Sequence, residues 1–191
     1  MSSRLQNRFC IAAVILAAFS LAGCGMAAQE AVKPKQMEHA GFEVIGIETR
    51  TNNTQESGGN GAIPKQWQRV FMEGLLNRIP DRADQSIVAV YTRYASDWNG
   101  DYTYILGAKV KPGTKAPEGM VSSNVTAGKY LEFISKRGRP EQVVPEMWKE
   151  VWAYFQTPGN SARAYATDYE IYDDMSDPTN VRVRLYLGVK P

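Results

Sequence analysis

The sequence predicts an α+β fold: two tandem strand-helix-strand-strand repeats with pseudo-two-fold symmetry, forming an antiparallel sheet packed with two helices around a central cleft. Two observations carry this prediction. Ile63-Pro64-Lys65-Gln66-Trp67 recurs as Val144-Pro145-Glu146-Met147-Trp148, and the same offset of 81 positions aligns Val70 with Val151, Phe71 with Trp152, Tyr91 with Tyr172, and Leu106–Lys109 with Leu187–Lys190. Self-similarity at this length marks a duplicated supersecondary unit rather than a short-period solenoid. Each copy also passes through the same hydrophobic periods, first two, then 3.6, then two again. The repeats are expected at about 42–110 and 123–191.

In the first copy, Phe42 to Arg50 alternates as a strand, and the Gly/Asn-rich stretch Asn52 to Gly61 reads as a flexible loop placed to cover the cleft. Pro64 suits the first turn of a helix, where its missing N–H costs nothing. Trp67, Val70, Phe71 and Leu75 fall on one helical face. Ser86–Tyr94 and Tyr102–Val110 are rich in β-branched and aromatic residues, with a turn at Asn99-Gly100. The second copy places a strand around Lys129–Ser135 and a helix from Pro145 to about Gln156, striped by Trp148, Val151, Trp152 and Phe155. Closing strands follow at Arg163–Tyr172 and Val181–Lys190, joined around Asp177-Pro178.

The first residues read differently. Arg4 and Arg8 precede an apolar run from Phe9 to Ala22, which ends Leu21-Ala22-Gly23-Cys24. A spanning helix needs roughly twenty apolar residues, so this run has the length of a signal h-region. The ending resembles a lipobox, which implies cleavage after residue 23 and lipid on Cys24. Residues 24–40 then read as a lipidated tether and 41–191 as one domain of ordinary size. Gly25 in place of an acidic residue favours the outer membrane, facing the periplasm, over the inner membrane. With Cys10 removed and Cys24 lipidated, the domain carries neither disulfide nor free thiol. Removing Arg4 and Arg8 from the 22 basic residues leaves 20 against 20 acidic ones. That balance gives no support to a nucleic-acid partner.

The duplicated pattern, the Pro-x-x-Trp opening of each helix and Tyr169-Glu170-Ile171-Tyr172 on the penultimate strand resemble the GyrI-like family. That family includes the effector-binding domains of multidrug-responsive transcription activators. The resemblance covers about Phe42 to Lys190. It implies a central cleft for small, lipophilic and often cationic molecules, with an acidic residue on the strand that carries Glu170. Family regulators add a DNA-binding domain, whereas here a signal and tether precede the fold, which counts against a role in transcription.

On a strand, Asp168, Glu170 and Tyr172 share one face. The matching positions of the first copy are Ile87, Ala89 and Tyr91, so the aromatic recurs while both carboxylates are confined to one copy. Glu170, Tyr172, Tyr91 and Asp168 are the candidate ligand-binding residues, joined by Tyr130 and Glu132 on the first strand of the second copy. Trp67 and Trp148 are expected to pack in the core. A cleft carboxylate with no cation beside it should have a raised pKa. Its alternative environment is a solvated edge strand or a pairing with Arg182 or Arg184.

No cofactor and no metal are expected, because the single histidine, His39, lies in the tether. The leading reading is a lipid-anchored envelope protein that binds a small amphipathic molecule, cations included. Two alternatives remain: a hydrolase of a reactive small molecule using Glu170, and a module that binds or inhibits a protein partner.

Overall fold

The computed structural model describes residues 33–191. The expected signal, Cys24 and the tether as far as Val32 lie outside the described residues. Eight strands form one antiparallel sheet: β1 Lys35–His39, β2 Phe42–Thr51, β3 Ile87–Thr92, β4 Tyr102–Val110, β5 Val121–Val125, β6 Gly128–Ile134, β7 Arg163–Tyr172 and β8 Val183–Val189. Among the described residues three α-helices accompany them, α1 Asn53–Ser57, α2 Ala62–Met72 and α3 Pro140–Gln156, with a short 3-10 helix at Leu75–Arg78.

The spatial order β1-β6-β8-β7-β3-β4-β2-β5 is a palindrome of the two repeats. Strands β6, β8 and β7 mirror β2, β4 and β3 across the β7–β3 contact. There Val88 pairs with Ile171, Ala89 with Glu170 and Val90 with Tyr169. Since 88 and 169, 89 and 170, and 90 and 171 each differ by 81, the pseudo-two-fold axis passes through the Ala89–Glu170 pair. The offset is not constant beyond it. Ala89 pairs with Leu106, whereas Glu170 pairs with Leu185, so the second hairpin is two residues shorter and the equivalent of Leu106 is Leu185 rather than Leu187. A shift of two keeps every side chain on its face.

Lys35–His39, read from sequence as tether, pairs along β6 as an edge strand, and β5 covers the other edge on β2. The stretch read as a flexible loop contains α1. Its Asn52 caps α1, and Glu56 accepts from the N–H groups of Ala62 (2.9 Å) and Ile63 (3.2 Å). That carboxylate caps α2, whose own N-cap, Gly61, has no side chain to do so. Helix α3 starts five residues before Pro145, at Pro140, which sits in the first turn where proline is tolerated.

Both faces of the sheet are buried. One packs against α2 and α3: Val70, Met147 and Val151 join Tyr91, Leu106, Phe133, Leu185 and Leu187 in a single core. No described helix contributes to the other face, where Val88, Val90, Tyr130, Tyr169 and Tyr186 are nonetheless buried. The outer strands curl over it. Phe42 of β2 reaches the ring of Tyr169 on β7 at 5.1 Å, and His39 of β1 reaches the same ring at 5.9 Å. Gly46 and Gly107 face each other across β2 and β4, where an added Cβ on either would overlap the partner backbone. The absence of side chains lets these strands close up. Replacing Gly107 with alanine is expected to cost about 2 kcal/mol or more by urea denaturation, as overpacked core sites do. An unchanged midpoint would contradict the close approach.

Candidate functional site

The two helices lie on the same face of the sheet, and between them opens a cavity of about 740 Å³. From α2 it is lined by Ile63, Pro64, Trp67, Gln68 and Phe71, and from α3 by Pro140, Glu141, Val144 and Pro145. Its floor is Tyr91, Tyr104, Glu170 and Tyr172, and Met175 and Pro178 of the β7–β8 connection close one side. The walls keep the symmetry of the repeat. Trp67 of the first copy packs on Tyr172 of the second with centroids 4.7 Å apart, and Trp148 of the second packs on Tyr91 of the first at 5.5 Å.

Glu170 breaks that symmetry, standing on the axis opposite Ala89. It is 1% exposed. Oε1 accepts the Tyr91 hydroxyl (3.0 Å) and the Trp148 indole N–H (2.8 Å), and Oε2 accepts the Tyr172 hydroxyl (2.8 Å). Two tyrosines related by the repeat thus grip the two oxygens of one carboxylate. All three donors are neutral, and among the described residues no cation pairs with Glu170. Burial pushes its carboxyl above the usual range, and the bonds from Trp148, Tyr172 and Tyr91 draw it partly back. Burial and the neighbouring Glu170 push the hydroxyls of Tyr91 and Tyr172 well above the usual tyrosine range, so both stay protonated donors.

The alternatives open for Glu170 are closed by its position. β7 is a central strand, and Arg184 pairs instead with Asp173, while also donating to Tyr186 (3.0 Å). Asp168 shares the face of Glu170 but does not line the cavity. It is 0% exposed and pairs with Arg163, while accepting from Tyr94 (2.6 Å) and from the Gly188 N–H (2.9 Å). Tyr130 and Glu132 are corrected more strongly. They point to the opposite face of the sheet, where Tyr130 bonds the Thr126 carbonyl (2.7 Å) and Glu132 accepts from Tyr186 (2.7 Å). Their strand was placed well, but its second face is also buried, so sharing a face with each other did not mean sharing the cleft.

Trp67 and Trp148, expected as core, do pack against it, and they also face the site: Trp67 lines the cavity and Trp148 donates to Glu170. Phe71, on the same helical face as Trp67, is 53% exposed and stacks on it with centroids 5.9 Å apart. The recurring Pro-x-x-Trp was the signal for this, since the motif, at the start of α2 and five residues into α3, marks the symmetric walls. Tyr104 left no such mark, because the second copy has Val183 at its structural equivalent.

Residues 37–189 match the Cass2 family, described as integron-associated effector binding protein. YobU of Bacillus subtilis, which carries the name of a transcriptional regulator protein, is 30% identical over 149 residues, 76% of this chain and 90% of that one. The Vibrio cholerae integron cassette protein VCH_CASS2 superposes with a TM-score of 0.63 at 30% identity, over 82% of this chain and 95% of its own. SAV2435, solved bound to tetraphenylphosphonium, shares the fold at a TM-score of 0.68 and 18% identity, over 83% and 94% of the two chains.

A raised carboxyl pKa fixes a sign for stability. The folded state holds its proton to higher pH than the unfolded chain, so Glu170 costs stability as pH rises through the interval between the two values. Above that interval the cost is constant. In Glu170→Gln this contribution disappears. The difference in unfolding free energy between variant and parent should therefore shift in the variant's favour by at most about 1.4 kcal/mol per pH unit across that window. A difference that does not vary with pH would show that Glu170 titrates normally.

Proposed function

The chain belongs to the Cass2 family of integron-associated effector binding proteins, and from that premise and the cavity we propose that it binds a small amphipathic cation. Ionised Glu170 is the counter-charge, and Trp67, Phe71, Tyr91 and Tyr172 are the aromatic walls. One observation carries the reading: a fully buried carboxylate at the floor of an aromatic cavity has only neutral partners. A cation entering the cavity supplies the missing charge where water cannot screen it. Each ring face in contact adds roughly 0.5–2 kcal/mol. The tetraphenylphosphonium bound to SAV2435, a protein of the same fold, is a cation of the size and character that such walls suit.

The arrangement suits holding a charge more than moving a proton. Of the carboxylate's four or so acceptor positions, three are taken by fixed donors. A hydrolase would need the same oxygens to reach and activate water. We also propose that the domain acts at the cell envelope, held by lipid on Cys24. That part rests on the apolar run and the Leu21-Ala22-Gly23-Cys24 ending alone.

Titration of the intrinsic tryptophan fluorescence with tetraphenylphosphonium tests the binding reading. Saturable binding is expected, weakened about tenfold to a hundredfold in Glu170→Gln, as loss of an opposite charge implies. Neutral triphenylphosphine oxide should bind parent and variant alike. Equal phosphonium affinity in both would remove Glu170 from the site. For the anchor, the intact mass of membrane-extracted protein should carry acyl chains that Cys24→Ser lacks.

A further inference from the structure

Glu170 without a counter-ion is a stronger anomaly once its surroundings are counted. A buried bare carboxylate attracts any cation within reach. One lies on the same strand, buried: Arg163, separated from Glu170 by the Trp148 indole. We propose that Asp168 is a specificity-determining positioning residue, which holds Arg163 away from Glu170 and keeps that carboxylate open to a cation from outside. The inference rests on the cation-receptor reading of the cavity.

Asp168 and Glu170 are two residues apart on one face of β7, so their carboxylates stand roughly 7 Å from each other along the strand. Between Arg163 and Asp168 the register of β7 slips in a bulge, and Tyr165 takes a left-handed φ of 52°. Non-glycine residues rarely adopt that conformation, and such strain persists where the surrounding structure enforces it. The bulge brings the Arg163 guanidinium onto Asp168 and over the Tyr165 ring at 4.4 Å. The same guanidinium lies 5.8 Å from the ring centre of Trp148, whose N–H is bonded to Glu170. The indole is therefore a partition, with the arginine over its face and the carboxylate at its edge.

Asp168 is well anchored for this task. The Gly188 N–H fixes Oδ1 at 2.9 Å, and the Tyr94 hydroxyl fixes Oδ2 at 2.6 Å. Burial alone would favour loss of the proton from Arg163, but Asp168 together with Tyr94 and Tyr165 raises its pKa and keeps the guanidinium charged. The repeat supplies an independent argument. Arg82 and Arg163 occupy matching positions, so both copies carry the arginine. Only the copy with Glu170 also carries Asp168; the other has Ala89 and Ile87 at those places. The two acids occur together or not at all, as expected if the second exists to occupy the arginine.

The test follows the Trp148 indole ¹H–¹⁵N signal against pH, and tetraphenylphosphonium affinity, in the parent, Asp168→Asn, and the double variant Asp168→Asn/Arg163→Gln. In the parent the indole should report a carboxyl titrating above the usual range, with Tyr91, Tyr104, Tyr172 and Tyr94 silent because all four titrate far higher. In Asp168→Asn the released arginine should pair with Glu170, moving that midpoint down and weakening phosphonium binding by about tenfold or more. Removing the arginine as well should restore both, with affinity within about threefold of the parent. A folded Asp168→Asn unchanged in both readouts overturns the proposal, and so does a double variant as weak as the single one. If Asp168→Asn fails to fold, the parent decides: a midpoint at or below the usual range means Glu170 is already paired, which overturns it. Should the parent bind no phosphonium, the receptor reading fails, while the indole titration still decides this one.

Discussion

Burying a carboxylate without a cation is costly unless hydrogen bonds offset the lost hydration. Glu170 meets that demand with three neutral donors, and much of the molecule is arranged to supply them. Tyr91 and Tyr172 come from the two strands that meet on the pseudo-two-fold axis, and Trp148 comes from the helix above them. A duplicated fold offers one place where symmetry-related side chains converge on a single point, and the acid occupies that place. Geometry is shared between the copies, while the charge belongs to one.

Placing such a group requires a rigid floor and walls. The floor is rigid because the central strands are buried on both faces: the helices cover one, and the curled outer strands cover the other. Close contact at Gly46 and Gly107 tightens that curl. The layer of Tyr130, Tyr169, Tyr186, Phe42 and His39 behind the sheet gives the second face its core. At the rim of the cavity, by contrast, Phe71 of α2 is exposed and carries little of the core, which leaves it available to a ligand.

The repeat made most of the architecture legible from sequence: element order, the strand-helix-strand-strand unit, and Glu170 with its two flanking tyrosines. What stayed hidden depends on long-range packing. The edge strand at Lys35–His39 has no apolar alternation of its own and exists because β6 needs a partner. Tyr130 and Glu132 were misplaced because alternation tells which residues share a face but not which face meets the helices. Asp168 was misread because the bulge that returns Arg163 to it leaves no periodic trace. Trp67 and Trp148 do pack against the core as read, but their second contact, with the cavity and with Glu170, was hidden because an aromatic at helical spacing reads the same in either setting.

The central claim is that an external cation completes the charge of Glu170, and proton linkage tests it most directly. Calorimetric titration with tetraphenylphosphonium in buffers of different ionisation enthalpy measures the protons released per cation bound. The account predicts release that approaches one proton below the raised carboxyl pKa, fades to none above it, and is absent in Glu170→Gln. Binding with no proton release at any pH, or release that survives in the variant, would contradict it.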